Sequence, residues 1–153
     1  MNEKFLRGLR LDDRLYQAWL LQLQTWAADG SLLAAGVDAL RLKPGQATDQ
    51  LKRIANRLAK GETRDLPPIE VLPGSAMSEA AGAFAQATGT IYVNQDWVQT
   101  SDKKGILRLL TEEYGHYLDN QHNKTDTAGD EGAVFAEQLL SAGNNEAPGQ
   151  ISN

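Results

Sequence analysis

Apolar residues recur at helical spacing from Leu15 to Leu58 and again from Ile106 to Leu118, with an alternating stretch between them. Leu15, Trp19, Leu23 and Trp26 form one stripe, which Asp12 or Asp13 can cap and Gly30 can stop. Ser31 opens a shorter helix with Leu32, Leu33, Val37 and Leu40 inward, closed by Pro44-Gly45. Thr48 or Asp49 opens a third on Leu51, Ile54 and Leu58, with Arg57 and Lys60 in its last turn and Gly61 beyond. The N-terminal half is therefore expected to be helical, with its tryptophans in the core or lining a groove.

Periodicity changes after Pro67-Pro68. Ile69 to Leu72 alternates as a short strand before Pro73-Gly74, and Ala83–Gln86 and Thr90–Val93 flank a turn on Gly89. These predict three strands in a small antiparallel sheet. Asn94 or Asp96 can cap a short turn, and Asp102 can cap a long helix that follows. A last helical pattern, Ala133 to Leu140, comes after a polar turn at 123–127 and the run Gly129-Asp130-Glu131-Gly132. The fold class expected is α+β: a helical N-terminal half, a small sheet, a long helix and a C-terminal helix.

The long helix carries the candidate chemistry. At about 100° per residue, Arg108, Glu112, His116 and Asp119 share one arc with Gly105 and Leu109. Ile106, Leu107, Leu110, Tyr114, Tyr117 and Leu118 share the other, with Glu113 between them. Carboxylates crowded beside an imidazole repel one another, and a divalent cation relieves that repulsion. A bland account also exists, in which Glu112, Glu113 and Asp119 are solvated or paired with Arg108 and His116 is a satisfied polar residue. Gly115 disfavours a helix by about 1 kcal/mol relative to alanine, which points to close approach of another backbone or a ligand.

Composition narrows the partners. The chain has 153 residues, 41% of them hydrophobic, enough for one core. One domain is expected over residues 1–142, with the small, polar, Pro/Gly-punctuated residues 143–153 as a flexible tail or linker. A net charge of −5 and a pI near 5.0 argue against nucleic acid or an anionic membrane as partner. The absence of cysteine excludes disulfides and thiolate metal sites. Met1 to Arg7 lack the apolar run of a signal peptide, and no stretch approaches membrane-spanning length, so membrane insertion is not expected. Cytoplasmic residence and secretion within a larger protein through an uncleaved signal both remain open.

The run Glu112-Glu113-Tyr114-Gly115-His116 resembles the H-E-x-x-H helix of the zincin metallopeptidases. The resemblance puts Glu112 in the place of the first histidine ligand, Glu113 in that of the general base and His116 in that of the second ligand. A glutamate opening the next helix is the third ligand in gluzincin-type sites, which implies Glu131 here; the bland account of Asp130 and Glu131 is helix capping. His122 competes, because Glu112, His116 and His122 repeat the metzincin spacing, although Asp119 occupies the position where that motif turns on glycine. Glu131 ranks ahead of His122, and Asp119 comes third. The implied ion is zinc, with manganese or calcium favoured to the extent that the site is oxygen-rich. Zincins also place an edge strand before this helix to align an extended peptide, which implies Thr90–Val93 as the substrate edge. Tyr114 or Tyr117 is then open to a role beside the reacting carbonyl or, from the apolar arc, to the core.

A wider stretch is similar to a module of large bacterial secreted proteins with hemolysin-type calcium-binding repeats. The similarity rests on Leu66 to Val71, Gly82 to Val93, the E-E-x-G-H-x-x-D run from Glu112 to Asp119, and the G-D-E-G-x-x-F run from Gly129 to Phe135. It implies a zincin-like fold and a glutamate as a regular feature of the first ligand position. The functional expectation is a metal-dependent peptidase or self-processing domain, a hydrolase acting through a metal-activated water. The alternative is a non-catalytic zincin-like scaffold or protein-interaction module.

Overall fold

The computed structural model describes residues 9–122 and 131–146. Strand β1 (Leu9–Arg10) precedes helices α1 (Asp13–Asp29), α2 (Ser31–Ala39) and α3 (Gln46–Ala59). Strands β2 (Ile69–Leu72), β3 (Gly82–Ala85) and β4 (Thr90–Asn94) follow, then α4 (Gln95–Thr100), α5 (Lys103–His122) and α6 (Glu131–Glu146). The protein is thus α+β, with predominantly helical layers around one small sheet.

The caps explain the helix boundaries. Asp12 accepts the Arg14 backbone N–H at 2.8 Å to start α1, and Gly30, at φ 89°, ends it in the left-handed conformation that glycine tolerates best. Asn94 accepts the N–H groups of Asp96 and Trp97 to start α4. Asp102 accepts the Gly105 N–H at 2.8 Å at the start of α5. Trp19 and Trp26 are buried, as their stripe predicts, and the Trp19 indole N–H donates to Thr111 Oγ1 at 3.1 Å, tying α1 to α5.

The sheet departs from expectation in two ways. Its order is β1-β2-β4-β3, and β2 runs parallel to β4 with Ile69 opposite Ile91 and Val71 opposite Val93. The sheet is therefore mixed, and Leu9–Arg10 adds a short strand antiparallel to β2. The β3–β4 hairpin does turn on Gly89, at φ 67°. But β4 lies inside the sheet, flanked on both sides, so Thr90–Val93 is not an edge. The physical reason is visible in its burial: Thr90, Ile91, Val93 and Asn94 are all buried, as befits a central strand covered on both faces. Among the described residues the edge strand beside it is β3, Gly82–Ala85.

The hydrophobic core runs between α1, α2, α3, the sheet and the apolar arc of α5, and α6 closes it with Phe135 and Leu139. Helix α6 continues to Glu146, and residues 147–153, which hold most of the expected tail, lie outside the described residues.

Candidate metal centre

The long helix α5 is unbroken from Lys103 to His122, and its two arcs are disposed as the pattern predicts. Ile106, Leu107, Leu110, Tyr114 and Leu118 are buried on the core side. On the other arc α6 packs antiparallel across the helix, with Gly132 against Glu112 and His116, Phe135 against Gly115, and Glu137 against Arg108. That front is consequently less open than a solvated acidic face. Glu113 is 7% exposed and Asp119 8%, while Glu112 and His116 keep partial exposure.

Two glycines set the spacing of this crossing. A methyl group at position 115 would stand 2.9 Å from the Gly132 Cα and 3.0 Å from the Phe135 ring. A methyl group at 132 would collide with the Glu112 carbonyl oxygen and stand 2.7 Å from His116 Nε2. Close backbone approach, expected at Gly115 from its cost in a helix, is the observed role, and Gly132 is its partner. Chain connectivity puts the Cα of Glu131 about 3.8 Å from that of Gly132. The side chain of Glu131 lies outside the described residues, as do Gly129 and Asp130.

Glu112 has a partner. Its Oε2 accepts from Arg108 Nε at 3.2 Å, and a terminal nitrogen of Arg108 donates to Glu137 Oε1 at 3.0 Å. Ser141 Oγ donates to Glu137 Oε2 at 3.1 Å. The hydrogen bond to Glu137, with that to Glu112, raises the Arg108 pKa above its ordinary value, and the Arg108 and Ser141 hydrogen bonds hold Glu137 below the ordinary carboxylate value. Glu137 is absent from the expected site because α6 reaches it only by folding back along α5, a pairing that spacing within one helix does not reveal. Gly132 does have a signal, since it belongs to the G-D-E-G-x-x-F run.

The structure does not bring His122 to Glu112 and His116. On a continuous helix His122 lies about 9 Å beyond His116 along the axis and about 120° around it, and about 15 Å beyond Glu112. The metzincin arrangement needs the chain to turn at position 119, and here Asp119 continues the helix. His122 instead places Nδ1 2.8 Å from the Leu118 carbonyl of its own helix, and its Nε2 is buried with no hydrogen-bond partner among the described residues. Asp119 is one turn from His116 but about 10 Å beyond Glu112 on the same axis.

Tyr114 and Tyr117 belong to the core. Tyr114 is fully buried between Trp19, Tyr117 and Phe135, with ring centroids 5.8, 5.9 and 6.3 Å away. Burial pushes both phenol pKa values up, Tyr114 far beyond the ordinary range. The Tyr114 hydroxyl is buried with no hydrogen-bond partner among the described residues.

Among the described residues, no three His, Cys, Asp or Glu side chains are gathered closely enough to hold a metal ion. Glu112 and His116, one turn apart on α5, supply two donors of the right kind, an oxygen and a nitrogen. No third donor is placed beside them by the described side chains. No helix among the described residues is long and apolar enough to cross a membrane. Compared with known proteins, the chain matches no family model, no curated relative and no solved structure.

Proposed function

We propose that the protein is a zincin-like metal-dependent peptidase or self-processing domain in which Glu112, His116 and Glu131 hold a divalent ion, zinc above manganese or calcium. The observation that carries this reading is the Gly115–Gly132 crossing, which sets the first turn of α6 against the Glu112/His116 turn of α5. A structural helix pair does not need its closest approach at the two candidate ligands; a two-helix ligand set does.

Zinc would supply a Lewis acid for the scissile carbonyl and lower the pKa of a water molecule. Glu113, next to Glu112 on the helix, would take the proton from that water and return it to the departing amine. The β3 edge, Gly82–Ala85, takes over the substrate-aligning role expected of Thr90–Val93. Among the described residues β3 is an edge strand of the sheet, and Gly82 lies against Leu109 of α5.

A second reading, a non-catalytic zincin-like scaffold or interaction module of a secreted repeat protein, is favoured by the Arg108–Glu112 pair, which already gives Glu112 a cation. Metal analysis of the purified chain combined with a peptide-library digest separates the two. Stoichiometric zinc with cleavage that Glu113→Gln abolishes supports the peptidase; stoichiometric metal without cleavage supports the scaffold.

A further inference from the structure

The outward face of α3 and the loop before it carry a charge opposite to that of the molecule. From Arg41 to Asp65 seven Lys and Arg stand against three Asp and Glu, a net +4. The whole chain carries −5, so the remainder carries −9. Two of the seven cations are paired, Arg57 with Asp65 at 2.6 Å and Arg64 with Glu62 at 3.5 Å. The other five, Arg41, Lys43, Lys52, Arg53 and Lys60, are exposed and make no ion pair among the described residues. Leu51, Ile54, Ala55 and Leu58 bury the inner side of the helix. At about 100° per residue Arg53, Asn56 and Lys60 line the opposite side, with Lys52 on its flank. Thr48 Oγ1 donates to the Lys43 carbonyl at 2.8 Å, which holds the preceding loop against the first turn of α3.

Helix dipoles account for part of this. Arg41 and Lys43 follow the C-terminus of α2, and Lys60 follows that of α3, where a cation is favourable. They do not account for Lys52 and Arg53, which sit inside the helix. Nor do they account for the backbone of Arg41, held at φ 54° in the left-handed region where a helix ordinarily ends on glycine. A cation is kept there against the local preference of the chain.

We propose that this face docks an acidic segment of a partner protein, whose carboxylates supply the counter-charges that the five cations lack. Three features select that class. A membrane-surface helix needs apolar residues free beside its cations, and those of α3 are committed to the core. Single-stranded nucleic acid is held by aromatic side chains that stack on bases, and no aromatic residue occurs between Arg41 and Asp65. A nucleic-acid duplex carries dense charge along its whole length, so it meets the acidic remainder of the molecule as well as the patch. A short acidic segment matches the patch and ends with it. The docking face does not depend on an ion at α5.

The test is fluorescence anisotropy of a labelled oligoglutamate peptide against the full chain, at low and at physiological salt, with folding of each variant checked by its thermal melt. Wild type is expected to bind at low salt and to weaken as salt rises. Arg53→Glu/Lys60→Glu should weaken binding about tenfold or more, because like charges then face each other. Lys103→Glu/Lys104→Glu makes the same change of net charge on α5 and should stay within about twofold of wild type, as distant exposed charges are screened. Arg53→Gln/Lys60→Gln, which adds no repulsion within the helix, should weaken binding in the same direction and serves if the reversed variant melts early. No binding of the peptide at low salt, or equal loss in the α3 and α5 reversals, overturns the proposal. Duplex DNA or phosphatidylserine vesicles held more tightly than the peptide, and lost with the α3 reversal, also overturn it. So does self-association of wild type that the α3 reversal abolishes, which would assign the face to a second copy of the chain.

Discussion

Gly115 of α5 and Gly132 of α6 meet so closely that a methyl group on the first would stand 2.9 Å from the Cα of the second. This contact brings the start of α6 to the Glu112/His116 turn, and the fold around it can be tested independently of any metal. Gly115→Ala and Gly132→Ala both force the helices apart. Each is expected to lower stability by about 1–3 kcal/mol, the range for inserting a methyl group into packed structure. Gly132→Ala should be the more damaging, because its methyl group would collide with the Glu112 carbonyl oxygen, a tighter backbone contact than the 2.9 Å approach to the Gly132 Cα at position 115. Thermal or urea unfolding checks this, and a Gly132→Ala midpoint equal to wild type would contradict the close crossing.

Tyr114 gives a prediction of opposite sign. Its hydroxyl is buried without a partner among the described residues, a state that disfavours the fold by the desolvation of the group. Tyr114→Phe removes the orphaned oxygen and keeps the ring among Trp19, Tyr117 and Phe135. Unfolding should show stability unchanged or raised by about 1 kcal/mol. A loss of stability well beyond that would show that the hydroxyl has a partner.

Thr111 should behave in the contrary way. Its hydroxyl accepts from the Trp19 indole at 3.1 Å and donates to the Leu107 carbonyl at 2.9 Å. Thr111→Val preserves shape but leaves a buried N–H unpaired, a loss of about 1–3 kcal/mol in urea unfolding.

The Arg108–Glu137 link should weaken in acid. Arg108 and Ser141 hold the Glu137 pKa below its ordinary value, so the folded protein binds fewer protons at this site than the unfolded chain does. Its contribution is therefore present above the unfolded carboxylate pKa and is lost as pH falls through the lower folded value. Melting midpoints of wild type and Glu137→Gln are expected to differ at neutral pH and to converge below about pH 4, near the ordinary carboxylate range. Because Glu137 is exposed, salt should narrow the gap at neutral pH. A gap that widens in acid would contradict the pairing.

The helices are legible in the chain because local signals agree. The Asp12 cap, the Leu15-Trp19-Leu23-Trp26 stripe and the Gly30 stop all describe the same element, and Asp102 likewise marks the start of α5. Strand order is not local. The β3–β4 hairpin follows from the turn at Gly89, but the parallel pairing of β2 with β4 joins segments separated by β3, and nothing in the alternation of Ile69–Leu72 identifies its neighbour. Reading Thr90–Val93 as an edge fails for that reason. At the site, one helix suffices to put Glu112 and His116 on a common arc and to suggest that Gly115 admits a neighbour. It does not suffice to exclude His122, because that depends on whether the chain bends at Asp119, and it does not reveal Glu137 or the packing of Gly132, which belong to α6.

The most direct test of the two-helix metal site is zinc stoichiometry, by titration calorimetry with elemental analysis, for wild type and the variants His116→Gln, Glu131→Gln and His122→Gln. The account predicts one zinc per wild-type chain, lost or weakened at least about tenfold in the first two variants and retained in His122→Gln. Zinc binding that survives Glu131→Gln unchanged, or that disappears with His122→Gln, would contradict it.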